Sequence, residues 1–220
     1  MLWDGGNNDL PFFLPDLYIV VADPLRPGLE TRFHPGETNL RMADVVVVNK
    51  IDSASEDDLA AVIEAIEAVN PEAEILTARS DLFLDGPSIG DKRVVVVEDG
   101  PTLTHGGMTY GAGVVAARRF GASELVDPEP VAVGSIRTVL ERYPDLEPLV
   151  PAMGYGETQM AELKATLEAT DAEVVLAATP IDLRGLLDLE KPVTRVRYEL
   201  AQVDGRPLGE ILAEALEPDD

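Results

Sequence analysis

The 220-residue chain carries 41 acidic side chains against 17 lysines and arginines, a net charge of −24, and contains no cysteine. Disulfides, zinc–thiolate sites, iron–sulfur clusters and cysteine nucleophiles are therefore excluded, and acid spread along the whole chain excludes the clustered basic surface that a nucleic-acid backbone requires. Distributed acid suits a salt-adapted surface, while apolar runs no longer than a strand and no basic-then-apolar leader lead us to expect a cytoplasmic protein.

From the N-terminus, Trp3-Asp4-Gly5-Gly6-Asn7-Asn8-Asp9 has the residue types of a tight turn. Apolar runs ending in small or polar residues predict strands at Leu17–Asp23, Val45–Lys50, Ile75–Ala78, Val94–Glu98, Glu147–Met153 and Val174–Ala178. Between them, helical patterns cover Glu56–Val69, Met108–Phe120, Ser135–Tyr143 and Thr158–Thr170. In the first helix, Ser55 ahead of Asp58 supplies a cap, Glu56, Asp57 and Asp58 suit the positive end of the dipole, and Pro71 enforces a stop. Leu59, Val62, Ile63 and Ile66 share its sheet-facing side. Thr194–Gln202 alternates Val196, Tyr198 and Leu200 with Arg195, Arg197 and Glu199, as a half-exposed edge strand does, and Leu208–Leu216 closes the chain as a helix. This alternation is that of an α/β protein with a mainly parallel sheet flanked by helices. The turn-rich stretch Asp81–Lys92 places a boundary near Asp85, giving domains over residues 1–85 and 86–220.

Val45–Val48 runs straight into Asn49-Lys50-Ile51-Asp52. Four valines predict a strand covered on both faces, and ligands of open α/β sheets gather at the carboxyl ends of such strands. The two oxygens of Asp52 suit the ring N–H and amino group of guanine, with Asn49 and the stem of Lys50 bracing loop and base; by residue type alone the same four residues are a polar turn. The segment resembles the guanine-reading loop of GTPase-like P-loop proteins. Thr77-Ala78-Arg79, after the next helix and strand, resembles their second base-contacting loop. Asp4, with Asp9, Asn7 and Asn8 beside it, resembles their Asp-x-x-Gly region, where a carboxylate holds Mg²⁺ through water. Three elements in that order point to a partial P-loop NTPase-like core in residues 1–85. The phosphate-cradling Gly-x-x-x-x-Gly-Lys-Ser/Thr loop occurs nowhere in the sequence. The expectation is a C-terminal portion completed by an upstream domain or a second subunit, binding triphosphate poorly by itself.

Three arginines and a histidine, Arg26, Arg32, Arg41 and His34, lie between the first two strands. In so acidic a protein they form a candidate clamp for phosphate or carboxylate, the alternative being pairing with local acids such as Glu30 and Glu37. His105-Gly106-Gly107 enters the next predicted helix, a natural anion site or simply a sharp turn, and either histidine could transfer a proton.

Together, WDGGNNDLPFF, DPLRPG, FHPGETNLRMADVVVVNKID, EDGPTLTHGGMTYGAG, AMGYG and ATPIDL resemble the C-terminal portion of the cyclic 2,3-diphosphoglycerate synthetase family. The resemblance implies an enzyme that spends a nucleoside triphosphate with magnesium to close an intramolecular phosphoanhydride in a 2,3-diphosphoglycerate-like substrate. It implies ATP, whereas Asn49–Asp52 points to GTP, and the base stays open. On that reading Asp4, Asp9, His34 and His105 are catalytic, with Asp4 holding the metal. Asn49, Lys50, Asp52, Thr77, Ala78 and Arg79 hold the nucleotide, and Arg26, Arg32, Arg41, Gly106 and Gly107 hold substrate phosphate. The alternatives are a GTPase-like regulatory or metallochaperone-type module and an inactive truncated product; a homo-oligomer is compatible with each.

Overall fold

Alternation decides where the two long valine runs go. In β2 (Val45–Val48) all four side chains are buried. Val46 and Val48 join Leu40, Val62 and Ile66 on one face, and Val45 and Val47 join Leu76, Ala78 and Ile211 on the other. In β4 (Arg93–Asp99), Val95 and Val97 face Val150, Val175, Ile136 and Leu167, while Val94 and Val96 face Val174, Leu176, Val114 and Ala117. A strand buried on both sides has no polar face to show, so its sequence reads as a continuous apolar run. The computed structural model describes residues 1–6, 9–32, 34–100, 103–104 and 108–217. The sequence expectations placed on Asn7, Asn8, His105, Gly106 and Gly107 lie outside the described residues.

The chain divides into two compact units, residues 1–81 with 199–220 and residues 82–198. The first contains β1 (Ile19–Ala22), α1 (Leu29–Arg32), α2 (Gly36–Met42), β2, α3 (Glu56–Val69), the first part of β3 (Glu74–Asp85), the last part of β8 (Val193–Asp204) and α8 (Leu208–Leu216). Its strands lie in the order β1-β2-β3-β8, with β1, β2 and β3 parallel. The second contains the remainder of β3 and β8 together with β4, α4 (Ala112–Arg119), β5 (Glu124–Leu125), α5 (Gly134–Arg142), β6 (Val150–Ala152), α6 (Glu157–Ala169), β7 (Val174–Ala178) and α7 (Leu183–Leu186). There β4 pairs in parallel with β7 on one side and with β5 and β6 on the other, and β7 pairs in parallel with β8. The protein is thus α/β with a mostly parallel sheet flanked by helices.

Several elements differ from their sequence pattern for identifiable reasons. β3 runs through the stretch expected to be turns, because Leu82 and Leu84 pack on the apolar cluster around Val94 and Val96. The strand expected over Glu147–Met153 shrinks to three residues, bounded by Pro148 and interrupted by Pro151, which cannot donate to the ladder. The helix expected from Met108 starts only at Ala112, after an extended Gly111. β8 is not an edge: it has β3 and β7 as neighbours, and Tyr198 and Leu200 are exposed where alternation predicted burial. α3 starts as read, with the Ser55 Oγ accepting the Asp58 N–H at 3.1 Å. No helix among the described residues is long and apolar enough to cross a membrane.

α3 ends at Asn70, whose side-chain amide donates to the carbonyls of Leu40 at 3.0 Å and Ala43 at 2.8 Å. These carbonyls close α2, and helix C-terminal carbonyls need such partners when covered. Asn70→Ala removes both bonds at once, and we expect it to lower the stability of the first unit by about 1–2 kcal/mol in urea unfolding.

Candidate functional site

Parallel register sets the ends of β1 and β2 level with the middle of β3: Ala22 is opposite Val48, and Val48 opposite Thr77, while β3 itself runs on to Asp85. Asp23 and Asn49, just past the ends of β1 and β2, lie level with Ala78 inside β3, and the three segments are stitched to one another. The Asn49 N–H donates to the Ala22 carbonyl at 3.0 Å and the Ile51 N–H to the Ala78 carbonyl at 3.2 Å. Lys50 sits in the left-handed region at φ 62°, a conformation disfavoured for a residue with a Cβ. Its ammonium donates to Asp23 Oδ2 at 2.8 Å. The ion pair and the bond from Ile51 hold the backbone of Lys50 in that turn. The Asn49 Nδ2 donates to Ser80 Oγ at 3.1 Å, while its Oδ1 is buried with no hydrogen-bond partner among the described residues. Asp52 is exposed at the tip of the turn. The Arg79 guanidinium is held charged chiefly by its hydrogen bond to Asp81, with a smaller contribution from the charge of Asp52.

Asn49, Lys50, Asp52, Thr77, Ala78 and Arg79 therefore come together where β1 and β2 end beside the longer β3. Asp23 and Ser80 belong to the same cluster but were not singled out in the sequence. The signal for Asp23 was present, since it ends an apolar run as Asn49 does, but its pairing with Lys50 depends on parallel register. The loop arginines disperse. Arg26 donates to Asp23 at 3.2 Å, and Arg41 to Glu37 at 2.7 and 3.0 Å. Arg32 is exposed and its guanidinium lies beside Gly28, whose N–H donates to Glu30. His34 is exposed. Asp4 is exposed in irregular chain, and the Asp9 carboxylate accepts the Gly6 N–H at 2.7 Å. No group of three or more acidic or histidine side chains among the described residues forms a metal cage. Magnesium bound to a nucleotide needs only one or two carboxylates beside phosphate and water, so Asp4 fits as a single ligand at most.

The second unit contains a different feature at the end of its central strand. Glu98 is 4% exposed, and its Oε1 accepts the N–H groups of Gly111 at 3.2 Å, Gly113 at 2.8 Å and Val114 at 3.1 Å. These are the free amides at the start of α4, so the protein's own carboxylate occupies the anion position of that helix. The two glycines permit it: a Cβ on Gly111 would lie 2.5 Å from Glu98 Oε2, and one on Gly113 would lie 2.6 Å from Val96 Cγ1. Burial pushes the Glu98 carboxyl up to about 7, overcoming the three amides that favour its charged form, and Asp99 adds to the rise. A strand-end acid facing Gly-x-Gly at a helix start was the only sequence trace of this arrangement.

Comparison with known proteins bears on the segment that holds most of the first cluster. Residues 11–77 match the family model described as the CobW/HypB/UreG nucleotide-binding domain. The segment holding the Asn49–Asp52 turn is thus similar to a nucleotide-binding domain. The chain is 57% identical over 215 residues to a Thermococcus kodakarensis protein named arginine synthetase ArcE, covering 97% of this chain and 48% of that one. It is 24% identical over 210 residues to the cyclic 2,3-diphosphoglycerate synthetase of Pyrococcus furiosus, covering 96% of this chain and 42% of that one. The chain spans about half the length of the curated relatives it matches.

The Glu98 environment predicts a pH dependence. Its carboxyl titrates near 7 in the folded protein and near 4.5 when unfolded, so between these values the folded state holds a proton that the unfolded state has lost. Stability contributed at this position is full below pH 4.5, falls as pH rises to about 7 by up to roughly 3 kcal/mol, and is flat above. Urea unfolding of wild type and Glu98→Gln from pH 4.5 to 8 should show this slope in the wild type and a flatter profile in the variant.

Proposed function

We propose that the chain is the base-recognition and substrate-side portion of a nucleotide-dependent synthetase, and that its product is arginine, as the name of its 57% identical relative states for that protein. The gathering of Asp23, Asn49, Lys50 and Asp52 past the ends of β1 and β2, inside the segment that matches a nucleotide-binding domain and beside Ala78 and Ser80 of β3, carries this reading. On this reading the Asp52 carboxylate accepts the ring N–H and amino group of guanine, and Asn49 and Ser80 fix the loop beside Ala78. Asp23 holds the Lys50 ammonium so that its stem flanks the base plane.

The phosphate-holding part is supplied by an upstream domain or subunit. It adds beside β1, whose pairing partner in the sheet is β2 alone and whose Val21 is 63% exposed, in a strand otherwise half-buried or buried. When nucleotide is bound, magnesium would neutralise its phosphates, with Asp4 as the carboxylate on this chain. The location is the cytoplasm, where nucleoside triphosphates are abundant.

A second reading, cyclisation of a 2,3-diphosphoglycerate-like substrate, is favoured by the 24% identity. It requires a polyanion clamp, whereas Arg26 and Arg41 are already engaged by Asp23 and Glu37.

Two measurements test the proposal. With the completed protein, Asp52→Ala should weaken GTP binding at least about tenfold, the loss expected when a charged acceptor of two hydrogen bonds is removed, and leave ATP binding unchanged. Equal effects on both nucleotides would remove Asp52 from base recognition. Mass-spectrometric analysis of the completed protein with nucleotide, Mg²⁺ and ammonium plus candidate amino acids should show arginine formation. Tight GTP binding without any small-molecule product would instead indicate a regulatory module, and a cyclic phosphoanhydride would establish the second reading.

A further inference from the structure

The segment that leads into β1 is built into the first unit, yet it keeps its large apolar side chains outside the core. A turn closes it: the Asp9 N–H donates to the Gly6 carbonyl at 3.1 Å, and the Asp9 carboxylate accepts the Gly6 N–H at 2.7 Å. Across that turn the rings of Trp3 and Phe12 meet edge to face, with centroids 5.0 Å apart. A Cβ on Gly5 would lie 2.9 Å from Trp3 Nε1, so the closure needs glycine there. The loop is also tied to α2. Asn39, itself buried, donates its Nδ2 to the Asp9 carbonyl at 3.3 Å and accepts the Tyr18 hydroxyl on Oδ1 at 2.7 Å.

What this anchoring holds in place is apolar. Leu2, Phe12, Phe13 and Leu14 are between 62% and 94% exposed. Fully burying a side chain of that size is worth about 1.5–3 kcal/mol, and the first unit leaves all four in solvent. Single exposed apolar residues need no explanation, whereas several gathered in one tethered segment mark a contact surface. The segment runs into β1, the strand whose partner in the sheet is β2 alone and whose Val21 is exposed, so the loop and the open strand edge adjoin along the chain. Its charge is one-sided as well: the first basic side chain is Arg26, behind Asp4, Asp9, Asp16 and Asp23. Such a surface fits a partner with an apolar patch and a positive rim. Length supplies the partner's source, since more than half of each curated relative lies outside the stretch that this chain matches.

We propose that Phe12, Phe13 and Leu14, braced by Trp3 and continued by the free edge of β1, form the docking surface for the phosphate-holding domain that completes this chain. The inference rests on the reading that such a domain exists, and on nothing about the product. A domain that cradles phosphates is electropositive on the side that faces them, which complements the aspartates of this segment. Phe12, Phe13 and Leu14 are the anchors, and the tie to Asn39 presents them without further ordering on association.

Hydroxyl-radical footprinting read by mass spectrometry tests the surface on two proteins: the 220-residue chain, and the completed protein in which the part of the Thermococcus kodakarensis relative outside the matched stretch precedes Met1. Oxidation of Phe12, Phe13 and Leu14 should be fast in the chain alone and at least about tenfold slower in the completed protein, as for anchors desolvated at an interface. The double variant Phe13→Asp/Leu14→Asp should leave the urea midpoint of the chain alone unchanged, because both residues are exposed there, and lower that of the completed protein. Equal oxidation in the two proteins overturns the surface. So does a midpoint that falls already in the isolated chain, which would make these residues part of the unit's own fold. Protection of the isolated chain that grows with its concentration also overturns the proposal, assigning the surface to a second copy. Protection in a completed protein that binds no nucleotide leaves the docking surface standing and removes the synthetase reading. Nucleotide-dependent product from a completed protein still oxidised at Phe12, Phe13 and Leu14 does the reverse.

Discussion

Everything at the Asn49–Asp52 turn of this protein depends on parallel register between strands buried on both faces. β1, β2 and β3 start in step to bury Val45–Val48 between two helical layers, and because they run in the same direction β1 and β2 finish level with each other beside Thr77 of the longer β3. The polar residues that terminate each apolar run then have no choice but to meet. Asp23 reaches Lys50 across 27 positions of sequence, and Asn49 reaches Ser80 across 31. Fully burying each valine is worth about 1.5–3 kcal/mol. That is enough for the core to hold the left-handed turn at Lys50, whose strain is of order 1–3 kcal/mol.

The two units use the same architecture with opposite electrostatics. In the first, the strand ends present a mixed cluster: an amide with an unsatisfied oxygen, an ammonium held by a carboxylate, and an exposed acid. In the second, the central strand ends in a carboxyl that has been turned inward to fill its own helix N-terminus. A helix dipole and a buried acid stabilise each other, yet desolvation outweighs the amides and raises the carboxyl towards neutrality. A group poised in this way exchanges a proton at little energetic distance, which is why such residues concentrate at functional sites.

The acidic composition takes on structural meaning at the loop arginines. A chain with 17 basic residues among 41 acids offers nearly every arginine a near neighbour of opposite charge. Arg26, Arg41, Arg79, Arg184 and Arg206 each find one, several within four residues. Exposed pairs of this kind contribute little to stability, but they occupy guanidinium groups that would otherwise be free for a polyanion. Local sequence contains both the arginines and the acids; only placement shows which are engaged.

The sequence by itself determined the class of the fold and the polar turn at the end of its most buried strand. Val45–Val48 followed by Asn49–Asp52 was legible because two-sided burial and strand-end placement both leave a one-dimensional trace, and the boundaries of α3 and α8 were legible because caps and periodicity are local. Tertiary structure decided what depends on contacts distant along the chain. β3 continues through a turn-like stretch because Leu82 and Leu84 find a core, and α4 starts at Ala112 rather than Met108 because Glu98, thirteen or more residues earlier, claims its first amides. Glu98 itself looked like the last residue of a strand. Its burial and its raised proton affinity come from glycines that let a helix approach the sheet, and no local pattern encodes that approach.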